Sequence, residues 1–317
     1  MKPTVIDLFC GAGGFSRGFK EAGFNIALAI DNDPSCGKTF KTNFSNTIVL
    51  VEDIKDVTGS DIIYYTGHNY DVVIGSPPCE PFTGANPKRE INPIDRLYKD
   101  PMGKLTLEFI RIIGELKPRI FIMENVPAIL EEPIKKSLIN EFKSIGYNQI
   151  YFNVLNAEKF GNPSKRKRVF ISNVPINPRP TNKVVVVAEA LKNLPSPQES
   201  TIPNHEFVPV SEKKLKRISR VKHGKAAYYY YGSSKLLPNL IKLNPYEVAP
   251  TVLGSSRFIH PFENRLLTVR EQARLMGYPD DHVFFGGRDQ QFNQVGESVP
   301  PPLSYAIAKF LMEKILM

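Results

Sequence analysis

Short apolar runs alternate with helical periodicity along the first half of the chain. The runs at 5–9, 26–30, 48–51, 71–75, 119–123, 149–155 and 168–172 read as strands. Between them, Leu105, Phe109, Ile112 and Leu116 recur at i, i+4, i+7 and i+11, which predicts a helix with one buried face. Glu131, Glu132 and Pro133 form a helix start, and Ile134, Leu138 and Phe142 continue it. Strand–helix alternation of this kind predicts an α/β fold, a parallel sheet with helices on both faces. Functional residues should then gather at the carboxyl ends of the strands.

The pattern changes near Val174. Pro175, Pro178, Pro180, Pro195, Pro197, Pro203 and Pro209 interrupt the next stretch and periodicity weakens. Helical signal returns from Thr268 to Met276 and again over 303–316. The expected organisation is a discontinuous main domain, 1–177 and 261–317, with a smaller irregular domain at 178–260. The 317 residues carry 41 Lys plus Arg against 32 Asp plus Glu, a net charge of +9. Residues 178–260 hold 13 of the basic residues against 5 Glu and no Asp. That concentration favours a polyanionic partner. Tyr228 to Tyr231, just after Lys222, His223 and Lys225, add the aromatic interleaving of nucleic-acid surfaces. No apolar stretch is long enough for a membrane span. Three cysteines and no visible secretory leader predict a reducing, cytoplasmic setting.

Two segments carry candidate chemistry. The first strand runs into Cys10-Gly11-Ala12-Gly13-Gly14, a glycine turn that lets backbone approach a nucleotide. Asp31 follows about 20 residues later, as expected of a ribose-hydroxyl acceptor. Asp53, after the third strand, points to the same crevice. This pattern does not separate a nicotinamide cofactor from S-adenosylmethionine, although the spacing departs from G-x-G-x-x-G. The second segment, Ser76-Pro77-Pro78-Cys79-Glu80, follows the fourth strand. Two prolines stiffen the approach to Cys79 and deny helix there. A thiol so placed is positioned for chemistry, whereas Cys10 and Cys36 read as structural. The polar stretch to Lys99 reads as a mobile lid. Glu124 closes the fifth strand beside the thiol loop. Arg166 and Arg168 should share one side of an extended segment.

Taken together, these segments resemble the cytosine-C5 DNA methyltransferases. Asp7 to Gly14 is similar to the family's first motif, Pro77-Pro78-Cys79 to its nucleophile motif, and Glu124-Asn125-Val126 to its ENV motif. Arg166-x-Arg168 resembles half of QxRxR, Arg265 to Glu271 the ninth motif, and Gln294 to Pro300 the tenth. Ser164, Glu80 and Glu297 depart from the usual Gln, Gln and Asn, and Asp31 from the usual Glu. The resemblance implies a Rossmann-like S-adenosylmethionine-dependent sheet, with residues 178–260 as the target-recognition domain. It implies Cys79 as nucleophile, with a thiol pKa lowered by nearby positive charge. Glu124, Arg166 and Arg168 would be its catalytic partners on a flipped-out cytosine. Phe9, Gly11, Gly13, Asp31, Asp53, Pro78 and Ser298 would hold the cofactor, without a metal. DNA contacts are expected from Lys88, Arg89, Arg96, Lys222, Lys225 and Arg257. The implied partner is duplex DNA, bound by a monomer, with room for a cognate restriction endonuclease that forms no stable complex with it. Two rivals are a transfer-RNA cytosine methyltransferase of the same fold, whose Cys-Phe-Thr signature is absent, and a silent DNA-binding relative.

Overall fold

A computed structural model describes residues 2–316 apart from 69, 182, 234 and 235. All seven predicted runs form strands: β1 (Thr4–Leu8), β2 (Asn25–Asp31), β3 (Ile48–Val51), β4 (Val72–Gly75), β5 (Ile120–Asn125), β6 (Tyr151–Asn156) and β7 (Lys167–Ser172). They lie in one sheet in the order β3-β2-β1-β4-β5-β7-β6. The expectation of a purely parallel sheet is corrected at one strand. β7 runs antiparallel to both β5 and β6. Only residues 157–166 join β6 to β7. That is shorter than the dozen or more residues a parallel crossover needs, so the strand turns back.

Alternate residues of the central strands face opposite sides. Ile6, Leu8, Val73, Phe121 and Met123 pack against Phe109 and Ile113 of the helix Leu105–Leu116 and Leu138 and Phe142 of Glu132–Ser144. Val5, Val72, Ile74, Ile120 and Ile122 join a second core with Phe15 and Phe19 of the helix Gly14–Glu21 and Leu303 and Ile307 of Pro301–Leu311. Each such buried side chain contributes about 1.5–3 kcal/mol. The C-terminal helix docks on the first one, where the Ser304 hydroxyl donates to the Phe15 carbonyl. The end of the chain thereby completes a body that its beginning started.

The late basic block is less irregular than its prolines suggest. It contains a second sheet of β8 (Ala226–Tyr231), β9 (Leu236–Lys242) and β10 (Phe258–Ile259), in the order β10-β9-β8. Four consecutive tyrosines conceal the alternation that would mark β8. Tyr228 and Tyr230 face Arg217 and Arg257, whose guanidinium carbons lie 3.9 and 4.7 Å from the ring centres. Tyr229 and Tyr231 are exposed. A third core joins Val187, Ile218 and Leu240 to Leu267, Leu275, Phe284 and Phe292, and also to Ala12 of the glycine turn. Among the described residues no helix is long and apolar enough to cross a membrane.

Candidate active site

Strand order reverses between β1 and β4, and a cavity of about 790 Å³ opens at their carboxyl ends. Leu8 is level with Ile30 and Gly75, so the residues that follow β1, β2 and β4 meet at one rim. Phe9 makes the turn in left-handed backbone, φ 59°, uncommon for a bulky side chain, and its ring lines the cavity. The Asp31 carboxylate accepts the Gly11 N–H at 2.8 Å and the Asp33 N–H at 3.0 Å, which fixes the turn. Gly11, at φ 49°, has open space where a Cβ would stand. Gly13 departs from the sequence expectation. A Cβ there would meet Phe44 at 2.5 Å, so its bareness serves packing, and it does not line the cavity. Asp53, Pro78 and Ser298 do line it. Ser298 is held by its own bond to the Gln294 carbonyl and by the Tyr278 hydroxyl.

The same cavity reaches Cys79, Glu124, Arg166 and Arg168. Because β4 and β5 are neighbours, Glu124 and the thiol loop lie side by side. The reversal of β7 explains the arginines. They precede or begin a strand, yet antiparallel pairing of Val169 with Asn125 brings that beginning to the carboxyl end of β5. Arg168 Nε lies 2.9 Å from Glu124 Oε1. Arg166 is buried and donates from Nη1 to the Val252 carbonyl. Asn125, to which sequence reasoning gave no role, donates from Nδ2 to the Pro77 carbonyl at 3.1 Å and ties the nucleophile loop to β5. Its own position in the ENV motif was the available signal. Two buried atoms on this wall make no hydrogen bond: Arg166 Nε, a donor, and Glu124 Oε1, which Arg168 faces as an ion pair but not in hydrogen-bond geometry. Unsatisfied polar atoms of this kind require an explanation, such as a ligand.

In the free chain burial shifts the thiol in the opposite direction from the sequence expectation. Burial pushes Cys79 up to about 12; Arg168 and Arg166 pull it down, while Glu80 and Glu124 push it further up. Desolvation outweighs the two cations because two carboxylates offset them. Burial also lowers Arg166, with Arg168 beside it, to about 9.

The residues expected on DNA divide. Lys88, Lys222 and Lys225 are exposed. Arg96 is a correction: it is buried, bonded to the Glu90 and Ile91 carbonyls and paired with Glu131 at 2.9 Å. It folds the lid upon itself rather than facing a partner. Arg89 is half-buried and donates to the Phe82 carbonyl. Arg257 stacks on Tyr230 and bonds Ser255. The Ser233 N–H and hydroxyl both reach the Gly84 carbonyl, at 3.0 and 3.1 Å, so the lid touches the β8–β9 hairpin. Of the departures from the motifs, Ser164 is buried in bonds from Asn162, while Glu80 and Glu297 face the cavity.

The architecture is that of the Rossmann-like methyltransferases. A crystal structure of a prophage-encoded E. coli protein matches at a TM-score of 0.78 over 100% of both chains, with 24% identity. Entamoeba histolytica methyltransferase EhMeth matches at 0.71 over 99% of both, with 18% identity. Residues 3–313 match the family model of the C-5 cytosine-specific DNA methylases. The chain belongs to that family and is a DNA (cytosine-5)-methyltransferase. It is 51% identical to the protein named "Putative type II methyltransferase M.MJ0563P" of Methanocaldococcus jannaschii, over 98% of this chain and 100% of that one. It is 34% identical to type II methyltransferase M1.HphI of Haemophilus parahaemolyticus, over 99% and 87%.

Proposed function

We propose that the chain transfers a methyl group from S-adenosylmethionine to carbon 5 of a flipped-out cytosine in a specific duplex sequence, through a covalent bond between Cys79 and carbon 6. The observation that carries this reading is one continuous cavity with a nucleoside-type rim at Asp31 and a thiol, a carboxylate and two arginines at its other end. The residues fit the cofactor: Gly11 leaves open space, Phe9 offers a ring, and Asp31 and Asp53 supply acceptors. When bound, the sulfonium supplies an electrophilic methyl group.

Carbon 5 of cytosine is too weak a nucleophile to take that methyl unaided. Addition of the Cys79 thiolate to carbon 6 turns the ring into an enamine, nucleophilic at carbon 5. Glu124, oriented by its ion pair with Arg168, offers its carboxyl group to ring nitrogen 3 and the exocyclic amine, and Arg166 has an unpartnered Nε–H for the oxygen on carbon 2. Contact with the amine discriminates against thymine. After transfer, a base removes the carbon-5 proton and the thiolate leaves. The target base must leave the duplex to enter the cavity. The lid from Cys79 to Lys99 then closes over it. Residues 178–260 serve as the target-recognition domain, and 1–177 with 261–317 as the catalytic one. The names of the type II relatives support action on a restriction site. On this reading a companion endonuclease acts separately, and the chain works in the cytoplasm as a monomer.

The test is incubation with duplex DNA carrying 5-fluorocytosine and the cofactor. Fluorine blocks loss of the carbon-5 substituent, so the chain should be trapped on DNA. The Cys79→Ala variant should not be. Absence of trapping in the wild-type chain, or transfer to transfer RNA alone, would overturn the reading.

A further inference from the structure

We propose that Glu80 and Glu297 form an anionic collar where the two halves of the cavity meet, which holds a sulfonium donor in preference to the neutral thioether left after transfer. The inference rests on the reading of the Asp31 end as the S-adenosylmethionine site. Both residues stand where the resembling motifs usually carry neutral amides, and both line the cavity from separate elements. Glu80 follows the nucleophile on the loop after β4; Glu297 ends the helix Arg288–Glu297. Glu297 lies within electrostatic reach of Glu80 and Arg166 on the thiol side and of Asp31 on the nucleoside side. In-line methyl transfer requires the sulfur to sit between the nucleoside and the accepting carbon. That place is this junction. Among the described residues, no lysine, arginine or histidine nitrogen lies within ion-pair distance of either carboxylate. The arriving sulfonium is therefore a counter-ion for two unneutralised acids. The product has lost that charge and the attraction with it, which favours exchange of product for fresh donor.

The collar should respond to pH. Glu297 is exposed to the open cavity, and the protein around that cavity displaces solvent from its other sides. That loss of solvent, with Glu80 opposite and Asp31 beyond, pushes its carboxyl up to about 7; a bond to Asn293 and the charge of Arg166 oppose the rise. The helix C-terminus adds its own negative end. Below about pH 7 Glu297 is neutral and the collar weak; above it the second charge is present and the cation is favoured. Asp7, on β1, is also pushed up to about 7 by burial, but it accepts the hydroxyl of Ser16 from the helix Gly14–Glu21 and does not line the cavity.

The test is calorimetric titration of the full chain with S-adenosylmethionine and with S-adenosylhomocysteine from pH 6 to 8. The readout is the ratio of the two dissociation constants, divided by the same ratio in Glu297→Gln. Titration of the ligands' amino groups, and of Asp7, is common to both proteins and cancels. That quotient should favour the sulfonium by a factor that grows roughly three- to tenfold across the range. Glu80→Gln should retain the rise with its midpoint moved to lower pH, because loss of solvent still raises Glu297 but the added repulsion from Glu80 is gone. A merely structural role would not move that midpoint. A quotient unchanged with pH, or a midpoint unmoved by Glu80→Gln, overturns the collar. No binding of S-adenosylmethionine at any pH overturns the cofactor reading itself, and the collar with it.

Discussion

The rim of the large sheet and the hairpin of the small one use similar residues to opposite ends. At the rim, Arg166 and Arg168 are 2% and 9% exposed, each fixed by a carbonyl or a carboxylate. At the hairpin, Tyr229 and Tyr231 are 58% and 78% exposed, with Lys222 and Lys225 nearby in solvent. Chemistry on a small ring needs groups held in place before the ring arrives. Contact with a duplex needs surface left open, and its affinity comes mainly from phosphates. The two regions meet at Gly84 and Ser233, where the lid rests on the hairpin.

Breaking the rim should have the larger effects. Cys79→Ala should reduce methyl transfer to background while leaving cofactor binding in place, read by tritium transfer beside calorimetry. Glu124→Gln keeps the shape but removes the charge, and should lower the transfer rate by about 10²–10³-fold. A third measurement asks whether the rim is ready before DNA arrives. With Cys79 pushed up to about 12, thiol alkylation of the free chain by iodoacetamide should rise roughly tenfold per pH unit from 7 to 10, without a plateau. A plateau near neutrality would mean the arginines already hold a thiolate, and the rim would be more pre-set than its geometry indicates.

The contrast also explains what could be read in advance. All seven strands of the large sheet were visible: β1, β4, β5 and β7 because strands buried on both faces must be apolar runs, and the more exposed edge strands β3 and β6 because they too are short runs rich in apolar residues. The meeting of the thiol, the carboxylate and the arginines at one cavity was legible because each lies at or beside the end of a recognisable strand. The reversal of β7 was missed, since its apolar run is the same whichever way it points; only the short link from β6 carried the direction. Arg96 was misplaced because charge in a sequence does not say whether a guanidinium faces water or Glu131. Asn125 was passed over because a side chain that bonds a carbonyl 48 residues away has no local signature. The small sheet was hidden by a run of tyrosines with no polar partner positions to mark alternation.

The smallest effects belong to the hairpin, and they sharpen the comparison most. Tyr231→Ala removes an exposed ring, so melting of the free chain should change by no more than about 0.5 kcal/mol. Its cost should appear only with DNA, as weaker binding to duplex. Lys222→Ala and Lys225→Ala should each lower affinity across unrelated sequences and reduce the slope of log affinity against log salt by about one phosphate. Rim variants such as Glu124→Gln should leave that slope unchanged, because Glu124 lies at the end of a buried strand and, on the proposed reading, would meet a base rather than the backbone. If instead a lysine substitution altered transfer to the bound duplex and left the salt slope intact, the division between a fixed chemical rim and an open electrostatic surface would fail. The Gly84–Ser233 contact would then be the route by which the hairpin reaches the lid.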